Sequence, residues 1–138
     1  MNQLRIQIAP QDETLLVDEI VILTDFCIDY KALVRSAREE GDYFILTCSC
    51  GDAGCAGLFA PIQVRHHAES IAWHITEPEP MRDFVFSKVQ YVAEIRKALE
   101  KTIQINATLP EDEQLGPHGI YQENLEALLN DIDRAEVT

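Results

Sequence analysis

Apolar residues alternate singly through most of the first half of this chain and recur every three to four residues through much of the second. That change of period makes strands first and long helices last the simplest arrangement. Leu4, Ile6 and Ile8 alternate with Arg5 and Gln7, the pattern of a half-buried strand, and Pro10 to Glu13 supplies a turn behind it. Leu15 to Leu23, rich in Val and Ile, reads as a second strand pairing back on the first, with Asp18 and Glu19 bringing charge near its start. Leu33, Val34 and Ala37 then recur at helical spacing between Asp29 and Glu40, and Gly41 stands where such a helix would stop.

From Tyr43 the period returns to two, so Phe44, Leu46, Cys48 and Cys50 are expected on one core-facing side of a strand. Gly51 to Gly57 reverses the chain. An apolar run from Leu58 to His66 and a returning strand through Ile71, Trp73 and Ile75 form a hairpin about Ala68 and Glu69. That register sets His66 opposite Ile71, Val64 opposite Trp73 and Ile62 opposite Ile75, and turns Gln63, Arg65, His67, Ala72 and His74 outward. Pro78 and Pro80 end the run, and Asp83 to Phe86 is too short to assign. Ser87 and Gln90 make a capping box for a helix with Val89, Val92, Ile95, Leu99 and Ile103 in its apolar stripe and Glu94, Arg96, Lys97 and Lys101 in solvent. Leu109 to Gly119 reads as an exposed loop, and a last helix from about Tyr121 to Ala135 carries Leu125, Leu128, Leu129 and Ile132. The expected fold is α+β: one domain over residues 1–138, with a single antiparallel sheet of about five strands and helices packed on one side.

The 138 residues are enough to bury a core without a metal or disulfide. A net charge of -13 disfavours nucleic acid and anionic lipid as partners and suits a cationic protein partner; solubility alone is the bland alternative. The carboxylates best placed for such a partner are Glu111, Asp112 and Glu113 in the late loop, with Glu123, Glu126, Asp131 and Asp133 on the last helix. No leader-like amino terminus or run of about 18 apolar residues is present, so a cytoplasmic location is expected and membrane is not. Thiols persist in that compartment, and Cys48 and Cys50 are too close in sequence to bridge each other comfortably.

Three of the four cysteines fall within Cys48-Ser49-Cys50-Gly51-Asp52-Ala53-Gly54-Cys55. Zinc takes four soft or borderline ligands, and Cys48, Cys50 and Cys55 with His66 from the hairpin would supply them. Buried structural thiols in a glycine-rich turn, or redox chemistry, are the alternatives, and the spacing differs from the paired Cys-x-x-Cys of zinc knuckles. Cys27, between Phe26 and Ile28, reads as buried filler with a smaller prospect of joining the cluster. His67 and His74 read as polar strand positions rather than a surface metal clamp, and His118 as a loop residue. Phosphate-binding, nucleophile-elbow and helical zinc motifs are absent, which favours a binding protein over an enzyme.

Cys-x-Cys-Gly-x-x-Gly-Cys-x-Gly at Cys48 to Gly57, the hairpin ending near Trp73, and Phe84-x-Phe86 followed by Gln90-Tyr91 resemble a group of small bacterial proteins of unassigned activity. The resemblance spans roughly the middle third of the chain. It implies a compact cytosolic α+β protein, and acidic proteins of this sort are often immunity proteins encoded beside toxins. It leaves the metal question open.

Overall fold

The computed structural model describes residues 1–10, 12–22, 26–47, 60–77, 79–110 and 122–137. Leu4–Ala9 (β1) and Asp12–Val17 (β2) form the expected first hairpin, with Ile6 opposite Leu15 and Ala9 opposite Asp12. Asp18 and Glu19 are not the charged start of a long strand but a second tight turn. Their φ angles are 53° and 67°, the left-handed pair that a two-residue hairpin turn demands. The chain therefore folds back as Ile20–Val21 (β3), paired with β2, and the long second strand becomes two. Glu13, expected in a turn, lies on β2.

Cys27–Ile28 (β4) leads into a helix over Tyr30–Arg38 (α1), whose N-cap Asp29 accepts a hydrogen bond from Ala32 N–H at 3.1 Å. Gly41 does not terminate that helix; it opens the strand Gly41–Tyr43 (β5), with Glu39 as the helix cap. The expected alternation fails next. Tyr43, Ile45 and Leu46 are buried and Phe44 is 40% exposed, because the strand breaks after Tyr43 and resumes as Leu46–Thr47 (β6) in a different sheet, against β4. Ile62–His66 (β7) and Ser70–Ile75 (β8) form the hairpin in the expected register, Val64 opposite Trp73 and His66 opposite Ile71. Arg82–Ser87 (β9) adds a strand to it, resolving the segment too short to assign.

Two long helices close the chain, Lys88–Asn106 (α2) and Gln122–Val137 (α3). Ser87 caps α2 by accepting from Gln90 N–H at 3.4 Å. The rest of the expected capping box does not form. The Gln90 carboxamide instead accepts from Leu4 N–H at 3.1 Å and donates to Leu4 O at 2.6 Å, and Glu94, one turn later, accepts from Ile6 N–H at 2.9 Å. Glu94 is thus not a solvent-side residue, and Val89, expected in the apolar stripe, is 80% exposed.

These side chains explain why the fold is α+β but not one five-stranded sheet. The free edge of β1 is sealed by α2, and the strands divide into sheets ordered β1-β2-β3, β4-β6 and β5-β7-β8-β9. A bridge from Asn2 to Phe86 touches the first sheet to the third. Helices pack on the inner face of the four-stranded sheet, where Tyr91 of α2 meets Trp73 edge-on at 5.9 Å and Phe86 at 5.4 Å. One continuous core runs from Leu4 to Ala135. Among the described residues, no helix is long and apolar enough to cross a membrane.

Candidate functional site

Glu13 shares the inward phase of Leu15 and Val17 on β2 and is only 8% exposed. A carboxylate accepts hydrogen bonds only, so its burial requires donors. The adjoining β4 and α1 provide them. Ile28 N–H donates to one carboxylate oxygen, and Tyr30 O–H donates to the other at 3.0 Å. Tyr30 also lies 3.1 Å from Thr102 Oγ1, which donates to Ala98 O at 2.8 Å, so α2 joins the cluster.

Cys27 is half-buried beside this carboxylate. Burial first, then the Glu13 charge and the S–H bond to Glu13, push its thiol up to about 11. Burial and Glu13 likewise hold the Tyr30 phenol well above its usual range. A thiol so placed is protonated near neutrality and is a poor nucleophile unless a metal or base displaces the proton.

β4 pairs Cys27 directly with Thr47, the residue bonded to Cys48. The one cysteine distant in sequence therefore stands at the foot of the segment carrying the other three. Cys48, Cys50 and Cys55 themselves lie outside the described residues. His66, expected as a fourth ligand, has its Nε2 proton donated to Ser36 O at 2.7 Å and its backbone N–H donated to Glu40 Oε1 at 2.8 Å. Its ring is thus engaged with α1. Among the described residues no group of three or more His, Cys, Asp or Glu converges as a metal site.

The outer face of the four-stranded sheet is the second candidate. Cross-strand pairing lines up Asp42, Gln63, His74 and Asp83 in one row over β5, β7, β8 and β9. His74 donates Nδ1–H to Asp83 at 2.6 Å, and Arg65 approaches Asp42 at 3.8 Å. The Asp42, Arg65 and Asp83 side chains remain 56%, 52% and 76% exposed, so this face is open to solvent. His67 lies beyond the end of β7 and does not share that row with His74, leaving no clamp between them.

The acidic surface expected on the last helix divides. Asp133 accepts from Arg96 Nε at 2.8 Å and from its Nη2 at 2.5 Å, tying α3 to α2. Asp131 lies 3.6 Å from Arg134 and 4.0 Å from Arg38 of α1. These two carboxylates brace the helices, whereas Glu126 is exposed. Glu123 is on α3, but its side chain is outside the described set, as are Glu111, Asp112 and Glu113. The Glu13 cluster and the Asp42 to Asp83 row were missed from sequence, although Glu13 in phase with Leu15 and Val17 was a readable sign. Comparison of the chain with protein-family models, with curated proteins and with solved structures gives no match.

Proposed function

We propose that this chain is a non-enzymatic, acidic binding protein that engages a cationic protein partner, in the manner of an immunity-type inhibitor. The observation that carries the reading is the row across the outer sheet face, whose two ends are the exposed carboxylates Asp42 and Asp83, on a chain of net charge -13. The described residues between Glu39 and Lys88 contain seven carboxylates, Glu39, Glu40, Asp42, Glu69, Glu77, Glu79 and Asp83, against the cations Arg65, Arg82 and Lys88. Such an excess speeds encounter with a basic surface and rejects anionic ones. Binding to the physiological partner is expected to weaken steeply between low and physiological salt, and reversing Asp42 and Asp83 together to lysine to slow association. Salt-independent association rates, or rates unchanged in the double variant, sink the reading.

A second reading is favoured by the pairing of Cys27 with Thr47: a zinc site built from Cys27, Cys48, Cys50 and Cys55, serving a sensor or a small enzyme. Zinc would demand four thiolates and so must displace the Cys27 proton, which makes retention fall on acidification. Elemental analysis of purified protein is expected to give stoichiometric zinc, lowered in Cys27→Ser and unchanged in His66→Gln. Metal-free protein with all four thiols open to alkylation removes this reading.

A further inference from the structure

The edge of β9 has the properties of a strand awaiting a partner. In the pair β8–β9, Phe86 faces Ile71 and Phe84 faces Trp73, and just beyond them Lys88 N–H donates to Glu69 O. That alternation points the main-chain groups of Arg82, Phe84 and Phe86 at β8 and those of Asp83 and Val85 the other way. Val85 is met on that side by Asn2: its N–H donates to Asn2 Oδ1 and its carbonyl accepts from Asn2 N–H, each at 2.7 Å. Asp83, two residues earlier, has no main-chain partner there among the described residues. An edge with open N–H and C=O groups is a template for strand addition, and Asn2, bridged in parallel to Phe86, already uses its far end.

The side chains along the edge state what would fit. Met81 is 65% exposed and Val85 41%, giving two apolar contacts. Asp83 and Glu79 are exposed carboxylates beside them, while the neighbouring cation, Arg82, turns its Nε to Pro80 O at 3.0 Å. We propose that the β9 edge from Met81 to Asp83 accepts an extended, cationic segment of a partner protein as an added strand. Its main chain pairs with Asp83. Met81, Asp83 and Val85 share one face of the sheet, so a lysine or arginine facing Asp83 is followed two positions on by an aliphatic residue facing Met81 and two further on by a cation toward Glu79, with Val85 already beside Asn2. This rests on the cationic-partner reading above and names the surface and the form of the partner.

The probe is the blocked peptide Thr-Lys-Thr-Val-Thr-Lys, which carries its lysines and valine on one strand face, titrated at low salt into the isotope-labelled full chain and followed by amide NMR. Saturable shifts confined to residues 81–85 and their β8 neighbours are expected, with exchange of the Asp83 amide slowed by about tenfold or more. Asp83→Lys is expected to weaken binding by about tenfold, and Glu100→Lys on the exposed side of α2 to leave it unchanged; the variant spectra report that both remain folded. Saturable shifts centred elsewhere, with Asp83→Lys binding as well as wild type, overturn the edge assignment and leave the cationic-partner reading standing. Absence of saturable shifts at any position overturns the edge assignment, while the cationic-partner reading stands or falls on the salt dependence and the Asp42 and Asp83 reversal.

Discussion

At the scale of single residues, the polar groups of the core form directed chains. Trp73 Nε1–H donates to Tyr91 Oη at 3.1 Å, Tyr91 lies 2.6 Å from Ser36 Oγ, and Ser36 donates to Leu33 O at 2.5 Å. Tyr91 thus passes its proton bond to Ser36, and each hydroxyl is used once as donor. Tyr91→Phe leaves the indole N–H and the Ser36 oxygen unmet and is expected to cost about 1–3 kcal/mol in denaturant unfolding. A cost near zero would show that water replaces the phenol. For Cys27 the folded value near 11 exceeds the ordinary 9.0, so the protonated thiol is what the fold favours. Its contribution to stability is full below pH 9.0 and disappears as the pH rises through about 11. Glu13→Gln removes the charge that helps hold the proton, and thiol alkylation at pH 8 is expected to accelerate by about tenfold for each unit the value falls. An unchanged rate in folded Glu13→Gln protein would mean burial alone sets the thiol.

At the scale of elements, α2 does the work of a strand. Gln90 and Glu94, four residues apart and so on one helical face, occupy the main-chain groups of Leu4 and Ile6 that a further strand would have taken. Replacing both with alanine reopens the edge of β1. The expected result is faster hydrogen exchange at the Leu4 and Ile6 amides, with a loss of about 1–3 kcal/mol, and concentration-dependent association through the exposed edge. Protection retained at both amides would show that packing of α2, not its polar side chains, holds the strand. The helix signature was legible because Ser87 and the apolar stripe are local, whereas the destination of Gln90 was not. A capping box and a bond to a strand 86 positions away use the same side chain, and only the approach of β1 selects between them. Phe44 failed for a related reason: strand parity predicts the buried face only while one pairing persists, and here the partner changes from β7 to β4.

For the whole molecule, a core continuous from Leu4 to Ala135 implies that α3 unfolds together with the sheets. Ile132 is fully buried, and Ile132→Ala is expected to destabilise by about 2–5 kcal/mol. It should lower the midpoint read from Trp73 fluorescence and from helical circular dichroism equally. Two separated transitions would make α3 an independent unit. By itself, the order of residues determined what depends on near neighbours: the alternating strands, the Val64 to Trp73 register, the Ser87 cap, the amphipathic last helices and the net charge. Tertiary structure alone decided which side chains meet across long separations, because burial of Glu13, engagement of His66 by Ser36, pairing of Cys27 with Thr47 and the open edge of β9 all depend on which surfaces pack together, and packing is a property of the assembled core rather than of any local pattern.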